Sequence, residues 1–379
     1  MRRRVDFLQI LDRHVGVDRR GVQREVLEFR GASQVTFLRC EGLCLRLDRE
    51  DQAEYNCPVS TGSDGRREFF EIYSKSYSRC FGPDPRCRKK IIRAHSIPNA
   101  RELEALQDDG HVITLQVRFG EEGPQVKFAP EGRNDATTFR GLCGVHDNAI
   151  FGAFDSEEIN LSDERHRFLL AYRAVIREFY MKARKAFVFT KATKGVTRSD
   201  GAKYEDAKRV FAWAIEDVFS FFPIKAEYDH LYLRSAFSGL RSEVVTLGCA
   251  PPVFAASSLF GPTSDVVVPK DPVASRRCLT VNVLPLDSAT SVVFSWLPAH
   301  QEFADRKLRS LRSLADCEAR RHWISKEVIK NCENFVMKPS HFESFRPERR
   351  SEILSFFTEN IVAPVRDSDS PDLDVFIRG

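Results

Sequence analysis

Cys80-Phe-Gly-Pro-Asp-Pro-Arg-Cys87 opens a stretch that runs on through Lys89-Lys90-Ile91-Ile92-Arg93-Ala94-His95-Ser96-Ile97-Pro98. It ends at Phe139-Arg140-Gly141-Leu142-Cys143-Gly144-Val145-His146-Asp147-Asn148-Ala149-Ile150-Phe151. Two thiols, a histidine after a strand-like run, and then Cys-x-x-His leading into a second element form a metal-site pattern. Thiolate and imidazole are the ligands that suit zinc, and four of them close a tetrahedral structural site. The candidate set is Cys80, Cys87, Cys143 and His146. Six residues separate the first pair, more than the usual two to four.

Between the halves of this set, Lys89 to Ile97 reads as a β-rich run with His95 at its end, and Asn99 to Leu106 as a short helix. Asp109-Gly110 makes a turn, and His111 to Phe119 alternates as a strand. Gly120 to Gly123 turns it, and Val126 to Phe128 pairs back. Thr137 to Leu142 leads into the Cys143-x-x-His146 knuckle, and Asp147 to Phe151 begins a short helix. Lys89, Lys90 and Arg93 can position phosphates or form a solvated strand face; the residues leave both readings open. His111 reads as structural.

Ala-His-Ser-Ile, followed about fifty residues later by Gly-Leu-Cys-x-x-His-Asp-x-x-x-Phe, resembles the His-Asn-His (HNH) nucleases with a ββα-metal core. The stretch is similar to their Ala-His-Ile branch. It is more similar still to a set of uncharacterised bacterial proteins reading Cys-x6-Cys, Ala-His-Ser-Ile, Gly-His-Val and Phe-Cys-x-x-His-Asp, then Ala-Tyr-Arg-Ala. Gly110-His111-Val112 and Ala171-Tyr172-Arg173-Ala174 complete that pattern over residues 75–180. The resemblance implies that His95 is the general base that activates water and that the last metal-binding position falls on His146 or Asp147. A metal nuclease needs a cation on the scissile phosphate and a neutral imidazole to deprotonate water. The family's middle Asn falls on Arg140, and the Asp that often precedes its first His is Ala94. Asp147 and Asp155 are the nearest carboxylates to replace what is missing. His146 cannot serve a structural zinc and a catalytic ion together.

Outward from this stretch, 379 residues suffice for two or three domains. With 42% hydrophobic and 30% charged residues, the chain is globular and not disordered. A net charge of +4 is too small to announce nucleic-acid binding by itself. Basic residues cluster locally, notably over Arg86 to Arg93 and Arg306 to Arg321. The basic N-terminus lacks an apolar core segment, and no run is long enough to span a membrane. The expectation is therefore a reducing cytoplasm, where the ten cysteines are ligands or buried fillers and not disulfides. Cys40-x3-Cys44, across an expected hairpin of Val35–Cys40 and Leu43–Leu47, reads as two buried thiols in preference to half a zinc site. A further strand is expected over Glu68 to Ser74.

Beyond Phe151, Asn160 or Ser162 caps a helix from Asp163 to Lys185, with Phe168, Tyr172, Val175, Ile176 and Phe179 on its core face. Packing suffices for Tyr172 and Arg173. A second helix over Ala202 to Phe222 stops at Pro223, and Glu227 to Phe237 forms a third. Short β-branched runs at Val244–Leu247, Val253–Phe260, Val266–Val268, Cys278–Leu284 and Ser291–Leu297 predict a small antiparallel sheet of four or five strands. Helices follow over Glu302–Ser313, Ser325–Cys332 and Pro347–Asn360. The basic residues after Arg306 read as a solvated helix face.

The sequence thus predicts an α+β protein. Its segments are an N-terminal β-rich part (1–74), a zinc-stapled HNH-like module (75–160), a helical part (161–240) and a C-terminal α+β part (241–379). The expected activity is metal-dependent hydrolysis of phosphodiester bonds in DNA or RNA, in a bacterial defence or mobile-element setting. His95 and Asp147 would be catalytic, with a structural Zn²⁺ and a catalytic Mg²⁺ or Mn²⁺. Lys89, Lys90, Arg93 and Arg140 would contact nucleic acid. The alternative is a non-catalytic, zinc-stabilised binding or sensor protein.

Overall fold

Strict alternation in the strand Leu279–Leu286 sets the architecture: Leu279, Val281 and Val283 share one face, and Thr280, Asn282 and Leu284 the other. All six are buried, so this strand is covered on both sides. The computed structural model describes residues 77–120, 123–192, 198–261, 277–286, 289–362 and 373–377. The strands expected over 35–47, 68–74 and 266–268, and Cys40, Cys44 and Cys57, lie outside the described residues.

The strands are β1 (Ala94–His95), β2 (His111–Gly120), β3 (Gly123–Gly132), β4 (Thr138–Phe139), β5 (Arg241–Leu247), β6 (Phe254–Phe260), β7 (Leu279–Leu286), β8 (Ala289–Trp296) and β9 (Phe335–Met337). Among the described residues, the α-helices of five residues or more are α1 (Gly144–Ser156), α2 (Glu164–Ala192), α3 (Ala202–Leu233), α4 (Gln301–Ser313), α5 (Cys317–Asn331), α6 (Pro339–Glu343) and α7 (Pro347–Val362). The chain is α+β. Among the described residues, its main sheet is antiparallel and larger than the sequence predicts, seven strands in the order β3-β2-β9-β6-β7-β8-β5.

The difference comes from β9. Ile113 and Thr114 of β2 pair with Met337 and Val336, and the same short strand pairs with Phe254 to Ala256 of β6. One sheet therefore takes strands from both the 75–160 and the 241–379 segments. The β2–β3 hairpin begins on Asp109 and Gly110, whose positive φ values of 49° and 76° fit the expected turn.

One sheet face, with Leu259, Leu284 and Val293, shares a core with α1, α2 and α3. The other, with Val281, Val283, Val292 and Phe294, packs against α4, α5 and α7. A smaller cluster ties Ile97, Leu103 and Leu106 to Val112, Ala255 and Val336. It seats the 97–106 segment on the sheet.

Several expectations need correction. Pro223 lies inside α3 and does not end it. Phe219 and Phe221 before it, and Ile224 and Tyr228 after it, enter one core, and that burial outweighs the lost hydrogen bond. The expected third helix is thus the end of α3. Asp163 caps α2, accepting from the Arg165 N–H at 2.8 Å, while Asn160 accepts from Ser162. Cys249 and Cys317 form a disulfide, against the expectation of thiols alone. They lie far apart in sequence, and only the packing of α5 beside β5 brings them together. Cys278 and Cys332 are buried thiols, as expected of fillers. Among the described residues, no helix is long and apolar enough to cross a membrane.

Candidate metal centre

Four side chains converge at one end of α1. Phe81 N–H donates to the Gly141 carbonyl at 2.8 Å, and Ile92 N–H to the Leu142 carbonyl at 3.0 Å, so two segments clamp the chain that leads to Cys143. The Cys80–Cys87 loop folds back at Asp84. The Asp84 carboxylate accepts from Arg86 N–H at 2.9 Å and its carbonyl from Cys87 N–H at 3.2 Å. This turn lets a pair spaced by six residues reach one point. Cys143 caps α1, its sulfur accepting from the His146 N–H at 3.4 Å. The cap places Cys143 and His146 one helical turn apart on one face.

The ligand atoms of Cys80, Cys87, Cys143 and His146 all lie within 4.8 Å of one another. Cys80 Sγ is 3.1 Å and Cys143 Sγ 3.5 Å from His146 Nδ1, and the sulfurs of Cys87 and Cys143 are 3.7 Å apart. Around a tetrahedral zinc, with Zn–S about 2.3 Å and Zn–N about 2.0 Å, such edges measure about 3.8 Å for S···S and about 3.5 Å for S···N. The donor set and its spacing fit a Cys3His metal site.

Without an ion, burial pushes the Cys80 thiol up to about 12. Burial also acts against the Cys143 thiolate. The His146 N–H and the neighbouring thiols of Cys80 and Cys87 outweigh it and lower that group. Gly82 is required here, because a Cβ would lie 2.6 Å from Cγ of the His146 ring. The sequence-predicted quartet is thus brought together, and His146 faces the three sulfurs. Asp147 is not part of the quartet. Among the described residues, no other group of three or more His, Cys, Asp or Glu side chains is close enough to hold an ion.

His95 ends β1, paired across to Thr138 of β4. It is half-buried, and burial lowers its pKa; its Nε2 lies 3.3 Å from the Arg133 carbonyl. That contact calls for a proton on Nε2, which leaves the lone pair of the neutral ring on Nδ1. Asp147 sits in the first turn of α1, and burial raises its carboxyl. Lys89, Lys90, Arg93 and Arg140 are exposed; Arg93 is paired with Asp135. His111 is exposed, with Nδ1 2.8 Å from the Asp109 carbonyl, in keeping with a structural role.

Three polar groups had no clear signal in the sequence. Arg173 is buried and donates to Asp155, and the charges of this pair act on His95, Asp147 and Glu102 alike. Glu102 lies in a π-helical turn, Asn99–Leu103, almost fully buried. Burial pushes it up to about 7, and its Oε2 has no hydrogen-bond partner. Tyr172 is not packing alone, since its hydroxyl donates to Asp229 at 2.6 Å. Arg173 and Tyr172 lie in the Ala-Tyr-Arg-Ala motif, which was their only trace; Glu102 had none.

The fold and the site define an α+β protein with a candidate Cys3His metal centre. Comparison with protein-family models, curated proteins and solved structures finds no match.

Proposed function

We propose that this protein is a metal-dependent, HNH-like endonuclease that hydrolyses phosphodiester bonds in DNA, with RNA as a further substrate. The arrangement around His95 carries the reading. Two short antiparallel strands, β1 and β4, are followed by α1, with an imidazole at the end of the first strand and a carboxylate, Asp147, in the first turn of the helix. This is the ββα order expected of such a nuclease core. The Cys3His set would be its structural zinc staple, and zinc would supply cross-linking there and no chemistry.

In this mechanism His95, neutral and held by the Arg133 carbonyl, takes a proton from water at Nδ1. Asp147 would help to hold a Mg²⁺ or Mn²⁺ that polarises the phosphate. Lys89, Lys90 and Arg140, exposed beside the knuckle, would engage backbone phosphates and set affinity more than sequence choice. Arg93 would have to exchange Asp135 for a phosphate.

A second reading has its own support. Asp155, a candidate replacement ligand, is engaged by Arg173, which favours a zinc-stabilised binding or sensor protein without catalysis. Supercoiled-plasmid cleavage with Mg²⁺ or Mn²⁺ separates the two, comparing wild type with a folded His95→Ala variant. Cleavage that vanishes in the variant supports the nuclease. Equal cleavage by both removes His95 from the mechanism. No cleavage by either, on single- and double-stranded DNA and RNA, favours the binding protein.

A further inference from the structure

Lys225 is buried in α3, within a helix face otherwise given to Phe221, Ile224 and Tyr228. An ammonium in such a place is unfavourable unless it is paired and hydrogen-bonded. Its Nζ lies 2.5 Å from Asp229 Oδ2, one helical turn further on, and 3.4 Å from the Gly82 carbonyl. The other oxygen of Asp229 accepts from the Tyr172 hydroxyl at 2.6 Å. A buried ion pair within α3, tied to α2 through the Tyr172 hydroxyl, would explain the contacts to Asp229. It does not explain the reach to Gly82, two residues past Cys80 and the position against which the His146 ring packs. Burial lowers the Lys225 pKa, and the Asp229 carboxylate beside it works against that shift.

The chemistry of the quartet gives this placement a purpose. Three thiolates and a neutral imidazole around a divalent ion leave one excess negative charge, shielded from water on the Cys80 side. Metal sites use outer partners to orient the ligands and stabilise their charge. We propose that Lys225 is such a partner for the Cys3His centre. Its ammonium faces the excess charge beside Cys80, and its hydrogen bond to Gly82 fixes the loop that delivers Cys80 and Cys87. Asp229 and Tyr172 hold the ammonium in position. Lys225 is a positioning residue and touches no metal. The proposal rests on the quartet binding zinc and does not need the nuclease reading.

The test uses the full chain purified with zinc. Zinc content is measured first, then the rate of zinc transfer to a chromogenic chelator, for wild type, Lys225→Met, Lys225→Arg and Tyr172→Phe. Circular dichroism and melting report folding. Zinc is expected in the wild type. Lys225→Met is expected to fold and to release zinc about ten- to a hundredfold faster. Lys225→Arg should release near the wild-type rate, and Tyr172→Phe in between. Release at the wild-type rate from folded Lys225→Met overturns the proposal. If Lys225→Met does not fold, the same result from Tyr172→Phe overturns it. Lys225→Arg as fast as Lys225→Met also overturns it, since charge would then not matter. A wild type without zinc sinks the metal site itself, and the first measurement tells that outcome apart.

Discussion

The guanidinium of Arg173 donates from one nitrogen, Nη2, to both carboxylate oxygens of Asp155, at 2.7 and 2.8 Å. Its carbon lies 4.1 Å from the centre of the Phe151 ring, and Nε and Nη1 have no hydrogen-bond partner. Asp155 is thus the counter-charge of a buried cation that otherwise rests on an aromatic face. The pair joins the last turn of α1 to α2 and fixes how α1 presents Cys143, His146 and Asp147. It also sets the field at His95 and Glu102, where Asp155 favours the protonated form and Arg173 opposes it.

Removing Asp155 alone should therefore be costly. Asp155→Ala is expected to lose about 2–3 kcal/mol, less than the ~3–5 kcal/mol of a fully buried pair because Asp155 is partly exposed. The double variant with Arg173→Met should recover most of that loss, since no unpaired charge remains. Urea unfolding of both singles and the double measures the coupling. Strictly additive losses would show that the pair is not the source.

Zinc should stabilise the chain by mass action. At free zinc a thousandfold above its dissociation constant, the gain is about 4 kcal/mol. A strong chelator is expected to lower the melting temperature of the wild type by several degrees. Cys143→Ala, which also loses the cap of α1, should start lower and not respond to chelator. Equal responses in both proteins would place the zinc elsewhere.

Gly82→Ala tests the tightness of the same site without replacing a ligand. The added methyl would sit 2.6 Å from Cγ and 2.7 Å from Nδ1 of His146. The ring must move, because the loop is held to Gly141 through the Phe81 N–H. The variant should fold but retain zinc about tenfold less well, in the range of indirect perturbations to metal ligands. Competition against a chelator of known affinity measures this, and wild-type retention would mean that the loop yields instead.

What the sequence revealed and concealed follows from the reach of each signal. The quartet was legible because cysteine and histidine carry their chemistry in their identity. The helical stripe from Phe168 to Phe179 was legible because burial repeats with the helical period. β9 was not, since Phe335 to Met337 is too short to show a period, yet it welds two sets of strands into one sheet. Pro223 misled because its local preference was weighed without the core on both sides of it. The Cys249–Cys317 bond and the Lys225–Gly82 contact link distant residues with no spacing rule between them. Glu102 looked like one more charge on a short helix until its burial was visible.

If His95 is the base, its protonation sets the acid limb of the reaction. Burial lowers its pKa, so the ring stays neutral to a lower pH than an ordinary histidine. Cleavage, measured as kcat/KM at fixed Mg²⁺, should hold as pH falls past 6.5 and decline only below it. Asp155→Asn removes a charge that favours the protonated ring and should shift this limb further down. A limb unmoved by Asp155→Asn, in a folded variant, would assign it to another group.

Glu102 makes a prediction independent of any activity. Burial raises its folded pKa from 4.5 to about 7, so the folded state prefers the proton. Below pH 4.5 the group is protonated in both states and carries no penalty. As pH rises, the unfolded chain ionises first, and stability falls until the folded group ionises near pH 7. The full loss amounts to roughly 3 kcal/mol, at about 1.4 kcal/mol for each tenfold change. Glu102→Gln keeps the shape and removes the ionisation. It should flatten this part of the stability curve and leave the variant more stable than wild type at pH 8. Guanidinium unfolding at pH 5, 6, 7 and 8 measures the difference. A constant gap between the two proteins across that range would mean that Glu102 ionises alike in both states.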